Sequence, residues 1–159
     1  MSKVVIIYSS KTGNTKKMAE SIYDGVKEII QNVELKSITD IKVDDLLTAD
    51  GIIVGSPTYF GLVCSEIKKF FDESVVHFGK LEGKVGGAFA SSANIAGGNE
   101  TTILGLLQMM LVHGMVIQGN ISSGHYGPVS VGFPDKNVLN ECRAYGKKIG
   151  KLVKKLFDK

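Results

Sequence analysis

The chain is poor in cysteine. Two thiols, Cys64 and Cys142, stand among 159 residues, with no CxxC and no Cys/His pairing at zinc-ligand spacing, so neither a disulfide framework nor a zinc site is expected. The three histidines, His77, His113 and His125, share no ligand spacing either, and no metal is expected. Long apolar runs are also missing. The apolar stretches are short and broken by Gly or polar residues, and Met1-Ser2-Lys3 passes straight into a strand pattern. The expectation is a cytoplasmic chain without signal peptide or membrane insertion. Net charge is only +3, and much of the positive charge falls in the last helical pattern. There Ile149, Leu152, Val153, Leu156 and Phe157 keep i, i+3, i+4 spacing, which leaves Lys147, Lys148, Lys151, Lys154, Lys155 and Lys159 as a solvated face. No aromatic residues interleave those lysines, so nucleic acid is not an expected partner.

What is present is a regular alternation. With 43% hydrophobic and 22% charged residues, the length suits one globular domain over residues 1–159. A strand at Lys3 to Tyr8 leads to a helix from about Gly13 to Ile30, whose Met18, Ile22, Val26 and Ile29 form one stripe. Val33 to Ile38 reads as a strand, Val43 to Leu47 as a short helix, and Gly51 to Gly55 as a continuously apolar strand of the kind buried on both faces. A helix near Ser65 to Ser74, a strand from Val85 to Ser91, a helix from about Asn99 to Val112, a strand from Met115 to Gly119 and a helix from about Asn137 to Leu156 complete the series. Strict alternation predicts an α/β, doubly wound, three-layer sandwich: a five-stranded parallel sheet with five helices on its two faces. Ser122 to Pro134 is the one long connection expected.

In such a sheet a ligand sits beyond the carboxyl ends of the strands. Three unusual loops fall there. The first, Ser9 to Thr15, gathers Ser9, Ser10, Thr12 and Thr15 hydroxyls, the Asn14 amide and a Gly13 free to take positive φ at a helix start, which is an anion site. The second is Ser56-Pro57-Thr58-Tyr59-Phe60-Gly61, and the third is Ser91 to Gly98. No GxxxxGK[ST] serves a triphosphate and no GxGxxG serves a dinucleotide. A phospho-acceptor receiver would need carboxylates at the ends of the first and third strands. Ser9, Ser10 and Ser56 stand there instead, and Asp50 is at the wrong end. A monophosphate with a flat body, held between an aromatic loop and a Gly-rich loop, remains.

At these loops the sequence resembles the flavodoxin superfamily. Ser10-Lys11-Thr12-Gly13-Asn14-Thr15 is similar to the flavodoxin phosphate loop. Gly55-Ser56-Pro57-Thr58-Tyr59-Phe60-Gly61, Gly97-Gly98-Asn99-Glu100-Thr101-Thr102 and His113-Gly114-Met115-Val116-Ile117 resemble the WrbA-type NAD(P)H:quinone oxidoreductase branch. The resemblance implies the flavodoxin-like strand order 2-1-3-4-5 and FMN as cofactor. By position it implies that Ser10, Lys11, Thr12, Gly13, Asn14 and Thr15 hold the phosphate. Pro57, Thr58, Tyr59, Phe60 and Gly61 would face the isoalloxazine, and Ser92, Ala93, Asn94, Ala96 and Gly97 would line its other edge, with His125 approaching the ring. Ala93, Asn94 and Ala96 depart from the family's Gly/Thr-rich run, Tyr59 stands where that branch commonly has Arg, and Val112 replaces the first of two adjacent histidines.

Tyr59, Gly61 and His113 are the catalytic candidates. His113 also reads as an ordinary packed or capping histidine at the end of an apolar helix. The implied activity is two-electron transfer from NAD(P)H to a quinone-type acceptor. The alternative is a one-electron carrier between redox partner proteins, consistent with the short chain, the lack of Trp and the absence of the branch's insertion between the second and fourth strands. A homodimer or higher homo-oligomer is expected from the same likeness.

Overall fold

Burial on both faces shapes the central strand. β1 (Lys3–Tyr8) sends Val4 and Ile6 into one core and Val5 and Ile7 into the other, as a short apolar run must when both sides of a sheet are covered. In the computed structural model, which describes residues 1–158, β1 lies between β2 (Asn32–Ser37) and β3 (Gly51–Tyr59), and β3 pairs onward with β5 (Val85–Ser92), all parallel. The fifth position is shared. β6 (Val116–Ile117) pairs with Val85 and Gly86, whereas β7 (Val129–Val131) pairs with Ala90, Ser91 and Ser92. The order 2-1-3-4-5 therefore holds, with its last strand in two pieces. β4 (Leu62–Val63) returns antiparallel along the end of β3 and brings the described strands to seven.

The expected Met115 to Gly119 strand shrinks to two residues, and the expected Ser122 to Pro134 loop contains β7, because residues 118–128 leave the sheet and re-enter higher up. Helices α1 (Asn14–Lys27) and α4 (Lys136–Phe157) cover one face. α2 (Ser65–Glu73) and α3 (Asn99–Val112) cover the other. The expected helix at Val43 to Leu47 is a 3₁₀ segment, Val43–Thr48, in which only Leu46 is buried, so four α-helices are described rather than five. None of them is long and apolar enough to cross a membrane.

Splitting the fifth strand leaves the middle of β5 without a strand neighbour on the side away from β3. There the backbone N–H of Ala88 donates to the Tyr145 hydroxyl of α4 at 3.0 Å. Tyr145 is 3% exposed, and burial pushes its phenol up to about 12, so it stays protonated. On the same edge the Ala88 carbonyl is met so closely by Gly127 that a Cβ there would lie 2.0 Å away. Tyr145→Phe would leave a buried N–H unpaired, and we expect it to cost about 1–3 kcal/mol. Urea unfolding of the two proteins checks this, and equal stabilities would show that the phenol is dispensable.

His113 stands apart from the loop edge. α3 starts at that edge and runs back for 14 residues, about 20 Å, so His113 sits at the opposite end, where Gly83 and Lys84 bond to Gly114 and Val116. The structure does not bring His113 together with Tyr59 and Gly61; the histidine terminates the helix. The Ser74 hydroxyl donates to Phe71 O at 2.7 Å, so its oxygen receives Nε2–H of His113 at 2.8 Å. Nδ1 is then the unprotonated nitrogen, buried and unpartnered. Burial, with His77 nearby, holds the imidazole below its usual 6.5. Neutral His113 thus contributes stability that is fully present above about pH 6.5 and lost as the pH falls through the lower folded value. An NMR titration of the ring should give a midpoint under 6.5; a midpoint at or above it would contradict this environment.

Candidate functional site

The first loop is built for an anion. Ser9 N–H bonds back to Gly55 O at 3.2 Å, and Gly13 N–H donates to Ser10 Oγ at 3.1 Å. Gly13 then enters α1 at φ 96°, with no side chain capping the helix and no acidic residue in its first turn. The first intrahelical bond recorded is Lys17 N–H to Gly13 O, so the N–H groups of Asn14, Thr15 and Lys16 face outward from a positive dipole end. A Cβ on Gly13 would meet nothing within 4 Å, so the space beside the loop is open. Thr15 is the buried member, and its hydroxyl pairs with Ser91 Oγ at 2.8 Å, fixing the helix start to the end of β5.

The second loop is a hairpin tip. β3 and β4 pair Tyr59 with Leu62, which leaves Phe60 and Gly61 as a two-residue turn with φ of 49° and 77°, the signs of a type I′ connection. Gly suits such a position and Phe does not. Phe60 is nonetheless fully exposed, and Tyr59 is 42% exposed. Thr101 Oγ1 lies 2.5 Å from Gly61 O and 2.9 Å from Gly98 O, while Thr102 donates to Thr58 Oγ1 at 3.0 Å. The start of α3 therefore grips the hairpin. Gly98, at φ 101°, packs so closely that a Cβ would fall 2.4 Å from Gly61 Cα.

The third loop folds on itself. Ser92 Oγ donates to Asn94 O at 3.0 Å and accepts Asn99 Nδ2 at 3.1 Å, and Gly97 N–H returns to Asn94 O. Ala96 takes φ 56°, and Ala93, Asn94, Ile95, Ala96 and Gly97 are exposed while Ser92 is buried. Lys11 Nζ lies 5.3 Å over the Tyr59 ring. The same lysine helps to keep Glu66 at the start of α2 below the usual carboxylate value, after that residue's own backbone N–H and the Ser65 hydroxyl. All three loops meet at one edge.

Ser10 to Thr15, Pro57 to Gly61 and Ser92 to Gly97 are thus brought together, as expected. His125 is at the same edge, beside Glu100, Ile103 and Tyr126 in a cleft of about 190 Å³, with its Nδ1 at 2.7 Å from Asn120 O. Sequence reasoning missed the residues that lock the loops: Ser91, Thr101 and Thr102. Adjacent hydroxyls just after Gly97-Gly98-Asn99-Glu100 were the available signal. No cluster of His, Cys, Asp or Glu among the described residues could hold a metal ion.

The geometry has counterparts. A flavodoxin of Clostridium saccharobutylicum is 38% identical over 162 aligned positions, covering 98% of this chain and 99% of its own. An NAD(P)H dehydrogenase (quinone) of Archaeoglobus fulgidus is 31% identical and covers 98% and 100%, but its alignment needs 190 positions. A solved structure of a flavodoxin, WrbA-like protein from Agrobacterium tumefaciens superposes with a TM-score of 0.84 at 28% identity, over 98% of this chain and 99% of that one. A family model described as flavodoxin domain matches residues 5–98, which span the first two loops and all of the third. The chain belongs to the flavodoxin-domain family.

Proposed function

We propose that the protein is an FMN-dependent oxidoreductase that takes two electrons from NAD(P)H and passes them to a quinone-type acceptor. One observation carries the cofactor: an uncapped helix start with free N–H groups stands at the sheet edge where the Tyr59 hairpin and the exposed Ala93–Gly97 loop also end. These residues fit FMN. The Ser10, Thr12 and Thr15 hydroxyls, the Asn14 amide and the N–H groups around Gly13 would hold its phosphate without an arginine. Pro57, Thr58, Tyr59, Phe60 and Gly61 would lie along one side of the ring, with Tyr59 supplying an aromatic face. Ser92, Ala93, Asn94, Ala96 and Gly97 would border its other edge, chiefly through backbone, since exposed alanines offer little else. FMN, when bound, supplies the group that accepts a hydride or single electrons.

The rest is the work of the chain. Thr101 and Thr102 fix the hairpin, so the aromatic wall keeps its distance from the third loop. Lys11 holds a positive charge at the rim, where the phosphates of a nicotinamide nucleotide would arrive. The exposed Phe60 and Ile95 leave an apolar approach suited to a quinone. His125 would meet a molecule in the cleft through Nε2, because Asn120 occupies Nδ1.

A second reading, a one-electron carrier, is favoured by one comparison. The Clostridium flavodoxin aligns almost without gaps, whereas the quinone dehydrogenase carries tens of residues with no counterpart here. Anaerobic addition of NADH or NADPH to the FMN-loaded protein, followed by a benzoquinone, separates the two. Rapid bleaching and reoxidation over many turnovers is the outcome expected of the enzyme. Failure of both nucleotides, with ready reduction by dithionite, would move the assignment to the carrier.

Gly98→Ala tests the contact that joins the hairpin to the start of α3. The new Cβ collides with Gly61 Cα at a backbone angle that L-residues avoid, so the hairpin must shift. We expect FMN affinity, followed by quenching of flavin fluorescence, to fall at least about tenfold, equivalent to about 1.4 kcal/mol, with unchanged far-ultraviolet circular dichroism. Unaltered affinity would show that the contact does not shape the site.

A further inference from the structure

Helix α4 is packed tightly on one side and open on the other. Gly146 and Gly150 face α1, where a Cβ on Gly146 would fall 2.2 Å from Ile22 O and one on Gly150 would fall 3.1 Å from Ile29 Cβ. Gly25 of α1 meets Arg143 O as closely, so the two backbones touch. β6, meanwhile, is the open edge of the sheet. Between α4 and Gln118, which follows β6, lies a trough of about 510 Å³. Ala144 and Leu152 supply its apolar surface, and Lys147, Lys148, Lys151 and Lys155 supply the rest.

These lysines are short of acid. Six cations and no carboxylate stand on α4 from Arg143 to Lys155, which leaves the rest of the chain net negative. From the facing helix, Glu28 reaches Arg143 Nη2 and Lys147 Nζ at 2.7 Å each, one carboxylate for two cations. Glu20 and Asp24, the other acids of α1, pair with none of the trough lysines. The acids toward the ends of α4 are engaged elsewhere: Glu141 lines an adjoining hollow with Ser122 and Ser123, and Asp158 accepts from Ser2 N–H and Oγ. Lys148 donates to Gly119 O at 2.5 Å and to Asn120 Oδ1 at 3.4 Å, which uses its protons and leaves its charge. Lys151 and Lys155 are exposed and have no acidic partner among the described residues.

Spacing selects the occupant. Lys147, Lys151 and Lys155 recur every fourth residue, about 6 Å apart along the axis. Like charges at that spacing weaken a helix until an anion answers them. Alternate side chains of an extended chain stand about 6.6 Å apart, so carboxylates at every second residue of a strand keep step with the row. A single phosphate cannot span it. A bilayer would need the apolar stripe of α4, and Tyr145, Ile149 and Val153 are buried in the core. Single-stranded nucleic acid would ask for aromatic side chains to stack on, and none lines the trough. We propose that the trough docks an extended acidic segment of another protein. The half of α4 that carries these lysines ends beside Ser2, at the sheet edge opposite the three loops, so the docked segment leaves those loops open whatever they bind.

Fluorescence anisotropy of a labelled peptide of alternating Glu and Val, titrated at low salt with the FMN-loaded protein, tests it. Wild type should bind saturably, with an affinity that falls as salt rises, and the flavin absorption spectrum should not change. Lys151→Glu/Lys155→Glu should weaken binding at least about tenfold, whereas Lys69→Glu/Lys80→Glu, an equal change of net charge at exposed positions off α4, should weaken it less than about twofold. Circular dichroism and FMN loading show that each variant is folded. Equal losses in the two variants, no binding by wild type, or a peptide-induced change in the flavin spectrum overturns the proposal. So does an oligonucleotide of equal charge, or a phosphatidylserine vesicle, that binds more tightly than the peptide and loses its affinity through Lys151→Glu/Lys155→Glu.

Discussion

The carboxyl edge of the sheet depends on a contact between two backbones. Gly61 and Gly98 come so close that neither a side chain nor an intervening water fits between them, and Thr101 bridges their carbonyls. With that contact made, the hairpin is no longer a free ribbon, because the start of α3 has become its base. The third loop must then turn tightly to reach Gly98, which is why Ala96 is driven to positive φ. The distance between the aromatic wall and the exposed backbone follows from these short-range constraints. The first loop joins the same assembly through the buried Thr15–Ser91 pair. Rigid strand ends and mutually braced loops are what a preorganised site requires.

The core beneath is equally tight. Phe89 on β5 lies over Gly55, where a Cβ would fall 2.1 Å from the ring. The strand that delivers the aromatic loop thus owes its position to a missing side chain on one strand and a large one on its neighbour. At the opposite edge Lys3 N–H donates to the Asp50 carboxylate and Asp50 N–H to Lys3 O, and Asp158 accepts from Ser2 N and Oγ, so the described ends of the chain lie together there. The three loops gather at one edge and the described ends of the chain at the other.

Much of this was legible in the residues. Val4 to Ile7 and Ile52 to Val54 carry no polar alternation, so two covered faces and a parallel sheet followed directly. Ser10 to Thr15 announced an anion loop because hydroxyls and Gly at a helix start have few other uses. What stayed hidden depends on contacts distant in sequence. Nothing local in Met115 to Gly119 says that only Val116 and Ile117 will pair, since the break is set by where Tyr145 and Gly127 reach β5. The place of His113 was hidden because chain order beside an apolar helix gives no distance, and a helix of that length carries it to the far side. Thr101 and Thr102 went unassigned because their partners, Gly61 and Thr58, are some forty residues away.

The divided fifth strand has an evolutionary consequence. Because β6 and β7 each keep their own register on β5, and Tyr145 satisfies the backbone between them, the segment from Gln118 to Pro128 is a detour that the sheet tolerates without losing a ladder bond it needs. Loop length enters closure entropy only logarithmically. The detour is therefore a docking bay in the architecture, a place where a chain of this fold can accept extra segments next to the three loops while the sheet goes on folding as before.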